Sequence, residues 1–211
     1  IKMKAKVNPE VVPNGVDIDA FTFLPKTRDQ KEFRLITTSR LVPKNGVDLV
    51  IEALNLLPHN VYFDVVGDGF QRKELEDKVE SLGLQKRVLF HGQKDKKEIV
   101  ELLHKADIFI RPSRSEGLGN SFLEAMATGL PIIGTEVGGI PDFLFDPKTH
   151  GEKGTGLFCA TEDFKSIVDC VQKVIKDQSL YNQLQINGVK LIEAQYTWDS
   201  IALRMKKILL A

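Results

Sequence analysis

The chain alternates short apolar runs with longer segments in which apolar residues recur every three or four positions. The short runs predict strands at residues 34–39, 61–67, 87–91, 107–112, 131–135 and 156–160. The periodic segments predict helices at residues 46–57, 71–82, 96–105, 120–128, 163–176, 180–195 and 198–210. The connections are so short that the crossovers must be right-handed and the strands parallel. The alternation therefore predicts an α/β fold with a doubly wound, Rossmann-like parallel sheet and C-terminal helices.

Residues beside these segments predict where the helices begin and end. Asn45 can cap the helix that follows it, and Thr197 can cap the last helix. Gly83 suits the position just past helix 71–82, because glycine readily adopts the left-handed conformation found there. In sheets of this kind ligands bind at the carboxyl ends of the strands, so the loops that follow strands are where a site is expected.

Length and charge are those of one soluble domain with appended helices. The chain has 211 residues, of which 42% are hydrophobic, and 29 basic residues balance 29 acidic ones. A general affinity for nucleic acid or anionic membrane is therefore not indicated, and any anion site must be local. No apolar run approaches the roughly 20 residues needed to cross a bilayer. The two cysteines, Cys159 and Cys170, come without a signal peptide and favour a cytoplasmic location.

The segment 113–129, SRSEGLGNSFLEAMATG, joins two acids to a glycine-rich helix start. Gly117 and Gly119 allow a sharp turn and a close approach to a ligand. The free N–H groups at the start of the helix, with the helix dipole behind them, suit a phosphate. Glu116 and Glu124 flank this point, and carboxylates suit the vicinal hydroxyls of a ribose or hexose. The segment predicts a ligand with sugar, phosphate and sugar in series.

Solvated surface charges are the alternative reading of the two glutamates. Against it, the helix around Glu124 is apolar almost all round, so an acid there is hard to leave on the surface. Arg40 follows the first strand and Lys44 comes four residues later, so the same edge offers cations. Cations near a diphosphate neutralise the charge that grows as the bond to it breaks.

The segment SEGLGNSFLEAMATGLPII, followed by GGIPD at 138–142, resembles the signature of the retaining glycosyltransferases called group 1 or family 4. Other pieces appear in that family's order: VVPNGVD at 11–17, SRLVPKNGVDLVIEAL at 39–54, VVGDG at 65–69, LFHG at 89–92 and ADIFIRPS at 106–113. The resemblance runs from about residue 10 to the end. It implies one half of the two-domain GT-B fold, the half that holds a nucleotide-sugar donor.

The resemblance also implies roles for the matching residues. Glu116 would hold hydroxyls of the donor sugar, and Glu124 would hold the ribose. Arg40 and Lys44 would neutralise the diphosphate, and the main chain near Lys94 would meet the base. The loop and helix start would bind phosphate and sugar oxygens through Gly117, Leu118, Gly119, Asn120 and Ser121. The family uses no metal or other cofactor, and a UDP- or GDP-sugar is the expected donor.

One departure from the family concerns the lysine. Members often read R-L-x-x-x-K-G, with lysine directly before the glycine, whereas this chain has Asn45 there and Lys44 one step earlier. The flexible lysine stem can still reach the diphosphate. Arg40 therefore matches the family pattern directly, whereas Lys44 matches it from one position earlier.

The resemblance divides the chain into three parts. Residues 1–17 are expected to be a linker or edge segment from an N-terminal domain, residues 18–195 the nucleotide-sugar-binding domain, and residues 196–211 a C-terminal helix. Because the chain begins with Ile1 and one GT-B half takes about this length, we expect a fragment without the acceptor domain. Such a fragment would bind the donor and transfer little alone. The missing domain could attach the protein to the inner face of a membrane.

Other interpretations stay open. A nucleotide-sugar-sensing module without transfer activity could keep the fold, and some sugar-nucleotide epimerases share the GT-B shape. His91 is as well explained by packing as by a role in the site, and the turn 67–69 is expected to line the cleft. The histidines show no metal-ligand spacing, so no metal site is predicted.

Overall fold

The structure, a computed structural model, describes residues 10–25 and 31–210. Its strands are β1 (Phe33–Thr38), β2 (Val61–Val66), β3 (Val88–Gly92), β4 (Ile108–Arg111), β5 (Ile132–Thr135) and β6 (Gly156–Cys159). They form one sheet in the order β3-β2-β1-β4-β5-β6, and neighbouring strands pair in parallel. The strand order reverses between β1 and β4, which is where such sheets open a crevice for ligands.

Helices cover both faces of the sheet. They are α1 (Val47–Leu56), α2 (Arg72–Ser81), α3 (Lys96–Lys105), α4 (Asn120–Ala127), α5 (Pro147–His150), α6 (Phe164–Lys176), α7 (Gln178–Gln195) and α8 (Trp198–Leu209). Side chains of β1 alternate between two cores: Leu35 packs with α1, α2 and α6, whereas Ile36 packs with α3 and α4. The predicted doubly wound, Rossmann-like fold with C-terminal helices is confirmed.

Two of the three predicted helix ends are confirmed. Thr197 accepts a hydrogen bond from the backbone of Ser200, and Gly83 follows α2 with φ of 68°. The prediction for Asn45 is wrong, because Gly46 is the residue that precedes α1. Asn45 belongs to a short 3-10 turn, is buried, and donates through Nδ2 to the carbonyl oxygen of Arg40 over 2.7 Å. Its side chain turns into the protein because a backbone carbonyl there needs a donor.

The described part of the N-terminal segment packs against the domain. Val16 is buried, forms a bridge with Thr197, and donates its N–H to the carbonyl oxygen of Tyr196. Asp17 forms an ion pair with Lys96 at the start of α3 over 3.1 Å. In contrast, α8 buries one apolar side chain and leaves five large ones exposed: Trp198, Leu203, Met205, Ile208 and Leu209. Across the described residues, no helix is both long and apolar enough to cross a membrane.

Candidate functional site

A cavity of about 390 Å³ opens at the carboxyl edge of the sheet, beyond the ends of β1, β2 and β3. The loops that follow these strands and the first turns of α4 line it. Four of the residues predicted for the site lie on its wall: Arg40, Lys94, Ser121 and Glu124. Gly67 and Asp68, from the predicted turn after β2, line it as well. The cavity thus collects residues from four separate parts of the chain.

The start of α4 has the form expected of an anion site. Gly119 precedes the helix with φ of 74°, and no described side chain caps the first turn. A Cβ at Gly119 would lie 2.7 Å from the Phe122 ring and 3.1 Å from Arg111 Nη2, so a larger residue would not fit. The uncapped N–H groups and the helix dipole can therefore stabilise a negatively charged group placed there.

Arg111 at the end of β4 binds the predicted acid Glu116 and interacts with the charge of Glu124, and sequence reasoning missed it. Its Nη2 donates to Glu116 Oε2 over 2.5 Å, and its Nη1 donates to Ser121 Oγ over 2.6 Å. Burial lowers the pKa of Arg111 to about 10, against the opposing effect of the charges of Glu116 and Glu124. An arginine at the end of the apolar run IFIR was a signal of a buried ion pair.

Glu116 lies in the loop before α4, with 11% of its side chain exposed. Its Oε1 accepts a hydrogen bond from the Gly117 N–H over 2.9 Å. The GGIPD segment supports this loop, because the N–H of Gly139 donates to the carbonyl oxygen of Gly117 over 2.8 Å. Gly117 and Leu118 also line a second cavity of about 670 Å³, to which Gly139 contributes. The loop therefore borders the second cavity, and Arg111 links its Glu116 to Ser121 on the wall of the first.

The two predicted cations occupy different positions. Arg40 lies on the wall of the first cavity with an exposed guanidinium, and it forms no ion pair within the described part of the chain. Lys44 lies beside the acid loop, with Nζ 4.0 Å from Glu116 Oε1. Arg114 holds the turn that carries Lys44, since its N–H donates to the Lys44 carbonyl oxygen and its guanidinium makes two hydrogen bonds to Asp48.

His91 lies near the end of β3, and Lys94 follows this strand. Lys94 lines the first cavity, but its ammonium group binds Glu98 over 2.7 Å, so a contact with the base through its main chain stays a prediction. His91 is bonded through Nε2 to Asp64 Oδ1 over 2.7 Å. Of the two readings of His91, this contact favours the structural one. No cluster of three or more metal-ligating side chains occurs among the residues that the structure describes.

Glu124 is a half-buried acid on the wall of the first cavity. Desolvation raises its pKa above the ordinary value, and the positive charges of Lys96 and Arg111 oppose this shift. Folding thus disfavours the ionised carboxylate of this residue. The electrostatic cost suggests that Glu124 has a task beyond stability.

The raised pKa of Glu124 predicts how stability depends on pH. The ionised Glu124 carboxylate lowers the free energy of unfolding. This loss begins as the pH rises through the pKa of an unfolded glutamate, about 4.3, and is complete above the raised pKa of the folded state. Glu124→Gln is therefore expected to raise the melting temperature at pH 7 and to change it little near pH 4. The exposed Glu101 on α3 provides the matched control, because Glu101→Gln should change neither value. A lower melting temperature for Glu124→Gln at pH 7 would contradict the assignment.

The structure is thus a Rossmann-like α/β domain with a cavity at the carboxyl edge of its sheet. The chain belongs to the family of glycosyl transferases group 1, whose model matches residues 21–191. A GDP-mannose-dependent alpha-(1-6)-phosphatidylinositol monomannoside mannosyltransferase of Mycobacterium tuberculosis is 30% identical over 95% of this chain and 55% of its own length. The chain therefore spans about half the length of this relative.

Two solved structures show the same fold. Anabaena HepE, crystallised with UDP and glucose, superposes with a TM-score of 0.83 at 22% identity, over 95% of this chain and 56% of its own. A C-terminal domain of a group 1 glycosyl transferase from Francisella tularensis has a TM-score of 0.73 at 25% identity, over 87% of this chain and 100% of its own. The chain thus has the architecture of one half of a GT-B glycosyltransferase.

Proposed function

We propose that this chain is the donor-binding domain of a retaining glycosyltransferase and that its first cavity binds a nucleotide-diphospho-sugar. The observation that carries the proposal is the uncapped start of α4 between two acids, Glu116 and Glu124. Arg111 is hydrogen-bonded to the first acid and interacts with the charge of the second. A phosphate at the helix start would place a sugar near each acid. Membership of the glycosyl transferase family supports this reading.

In this proposal the nucleoside occupies the first cavity. Glu124 on the cavity wall accepts hydrogen bonds from the ribose hydroxyls, and the main chain near Lys94 contacts the base. The diphosphate lies at the start of α4, within reach of the exposed Arg40. The donor sugar then lies beside Glu116, on the side of the loop formed by Gly117, Leu118 and Gly119.

The proposed chemistry depends on the charges that develop as the donor sugar leaves the diphosphate. As the glycosidic bond to the diphosphate breaks, positive charge develops on the sugar ring and negative charge on the leaving phosphate. The helix start and Arg40 stabilise that negative charge without rearranging, and Lys44, 4.0 Å from Glu116, adds a second cation. We propose that these protein groups take the part that a metal ion plays in other transferases, so no metal is required.

The acceptor is expected to be held by a domain outside this chain. The mycobacterial relative is named for GDP-mannose, and the Anabaena structure contains UDP and glucose, so UDP- and GDP-sugars are the first donors to test. A cytoplasmic protein that attaches to a membrane through its acceptor domain is one arrangement consistent with a relative that acts on a phosphatidylinositol mannoside.

A thermal-shift panel tests the proposal. The melting temperature of the chain is measured with UDP, GDP, ADP and their sugars. The ligands that carry one of the three bases are expected to raise it, because they bind only the folded state. Glu124→Gln should reduce that shift, whereas Glu101→Gln should leave it unchanged. No shift with any of these ligands would overturn the proposal.

Product analysis distinguishes the proposal from its alternatives. With a binding donor, the chain alone is expected to produce at most slow hydrolysis to free sugar and nucleotide. An epimerised donor would indicate an epimerase. Binding without turnover even when the rest of the protein is present would indicate a sensing module.

A further inference from the structure

Arg111 is the most deeply buried charge near the site, with 5% of its surface exposed. The Phe122 ring covers one face of its guanidinium, whose carbon lies 4.3 Å from the ring centroid. A cation in such a place is tolerated only when its partners compensate for the lost hydration. Its side-chain partners are Glu116, the acid predicted for the donor sugar, and Ser121, predicted for the phosphate at the helix start. Its Nη1 also donates to the carbonyl oxygen of Thr38 over 3.4 Å.

We propose that Arg111 is a positioning residue, which holds the Glu116 carboxylate in the orientation that receives the donor sugar and ties it to Ser121. The inference deepens the proposed function and rests on it. Arg111 would not touch the ligand itself. It would instead determine where Glu116 presents its oxygen atoms.

The contacts of Glu116 explain how the orientation is set. Oε2 accepts from Arg111 Nη2 over 2.5 Å, while Oε1 accepts from the Gly117 N–H over 2.9 Å. The carboxylate is thus held at both oxygen atoms, one by a side chain and one by the backbone. A carboxylate has about four lone-pair positions, so each oxygen can accept a further hydrogen bond from a sugar hydroxyl.

Arginine suits this task better than lysine. The guanidinium is planar and offers several donors in a rigid arrangement, so it can bind Glu116 and Ser121 at the same time. It can also stack on Phe122, which restricts its rotation. A lysine would keep the charge but provide one flexible point of attachment. Replacing the planar guanidinium by an ammonium group should therefore free the Glu116 carboxylate, although the positive charge remains.

The experiment compares two affinities in each variant. Dissociation constants for UDP, UDP-glucose, GDP and GDP-mannose are measured by calorimetry for the wild-type chain, Arg111→Lys and Arg111→Met. For the base that binds, the ratio of the nucleotide-sugar constant to the nucleoside diphosphate constant should rise about tenfold in Arg111→Met, or about 1.4 kcal/mol. The reason is that Glu116 meets the sugar and not the nucleotide. Arg111→Lys should show a smaller rise.

A double-mutant cycle tests whether Arg111 acts through Glu116. Glu116→Gln should raise the same ratio, and adding Arg111→Met to it should raise the ratio no further. Arg87 serves as the control for a structural arginine, because it donates to backbone carbonyls of Val61 and Pro58 at the opposite edge of the sheet. Arg87→Met should lower the melting temperature and leave the ratio unchanged.

Several outcomes would overturn the inference. An unchanged ratio in Arg111→Met, equal weakening of both ligands, or a further rise in the Glu116→Gln background would each show that Arg111 does not position Glu116. If Arg111→Met does not fold, the ratio of dissociation constants is compared between Arg111→Lys and the wild type. A wild-type chain that binds none of the four ligands would refute the proposed function instead, which keeps the two failures distinct.

Discussion

Replacing Arg40 by alanine is expected to slow glycosyl transfer by about a hundredfold or more in a full-length enzyme that carries this domain. Arg40 lies on the cavity wall, where in the proposed function it neutralises the leaving diphosphate, and losing one such contact typically costs about 2.7–4 kcal/mol. The melting temperature should hardly change. The side chain is exposed and forms no ion pair with any residue that the structure describes.

Turnover and thermal unfolding, measured on the same variant, test this expectation. Lys73→Ala is the matched control, because it removes one exposed positive charge from α2, away from the cavity. It should leave turnover unchanged. Equal turnover in Arg40→Ala and the wild type would remove Arg40 from the mechanism, and a large loss of stability would mean that its role is structural.

Gly138→Ala is expected to destabilise the domain by about 2–5 kcal/mol and to abolish nucleotide-sugar binding. Gly138 has φ of 56°, which an alanine adopts only with strain. A Cβ built there would lie 1.8 Å from the carbonyl oxygen of Glu116, so the loop that carries the acid would have to move. Stability is measured by urea denaturation, and binding by calorimetry with the donor found in the thermal-shift panel.

Gly83→Ala separates the effect of backbone strain from that of the clash with the Glu116 carbonyl oxygen. Gly83 also has a positive φ, 68°, but a Cβ there meets nothing within 4 Å. Its substitution should therefore cost only the backbone strain, about 1–2 kcal/mol, and leave binding intact. If Gly138→Ala behaved like Gly83→Ala in both measurements, the GGIPD segment would not be a support for the Glu116 loop.

The apolar periodicity of the sequence predicted the strands and the long helices to within a few residues. The conformational freedom of glycine predicted the sharp turn at Gly119, which precedes α4 with a positive φ. These features depend on residues close together in the chain, so a local pattern contains the information. The four-residue helix α5 was missed because it is too short to show a period.

The candidate site was predicted only in part. The spacing of Glu116 and Glu124 and the cations near β1 pointed to the carboxyl edge of the sheet, where Arg40 and Glu124 lie on one cavity. Asn45 was expected to cap a helix, yet it binds a backbone carbonyl inside the loop. The capping rule pairs an asparagine side chain with the N–H groups of the helix that follows it. It fails here because the carbonyl oxygen of Arg40 competes for the same side chain.

By itself the sequence determined the α/β alternation, the position of the helix start and the presence of two acids around it. The tertiary structure alone decided that Arg111 from β4 binds both Glu116 and Ser121 and that Gly138 supports the loop of Glu116. The physical reason is that apolar periodicity and glycine turns are patterns of the local sequence. The burial of Arg111, which makes its pairing with Glu116 necessary, and the close contact of Gly138 with the Glu116 loop depend on strands and loops that meet only after folding.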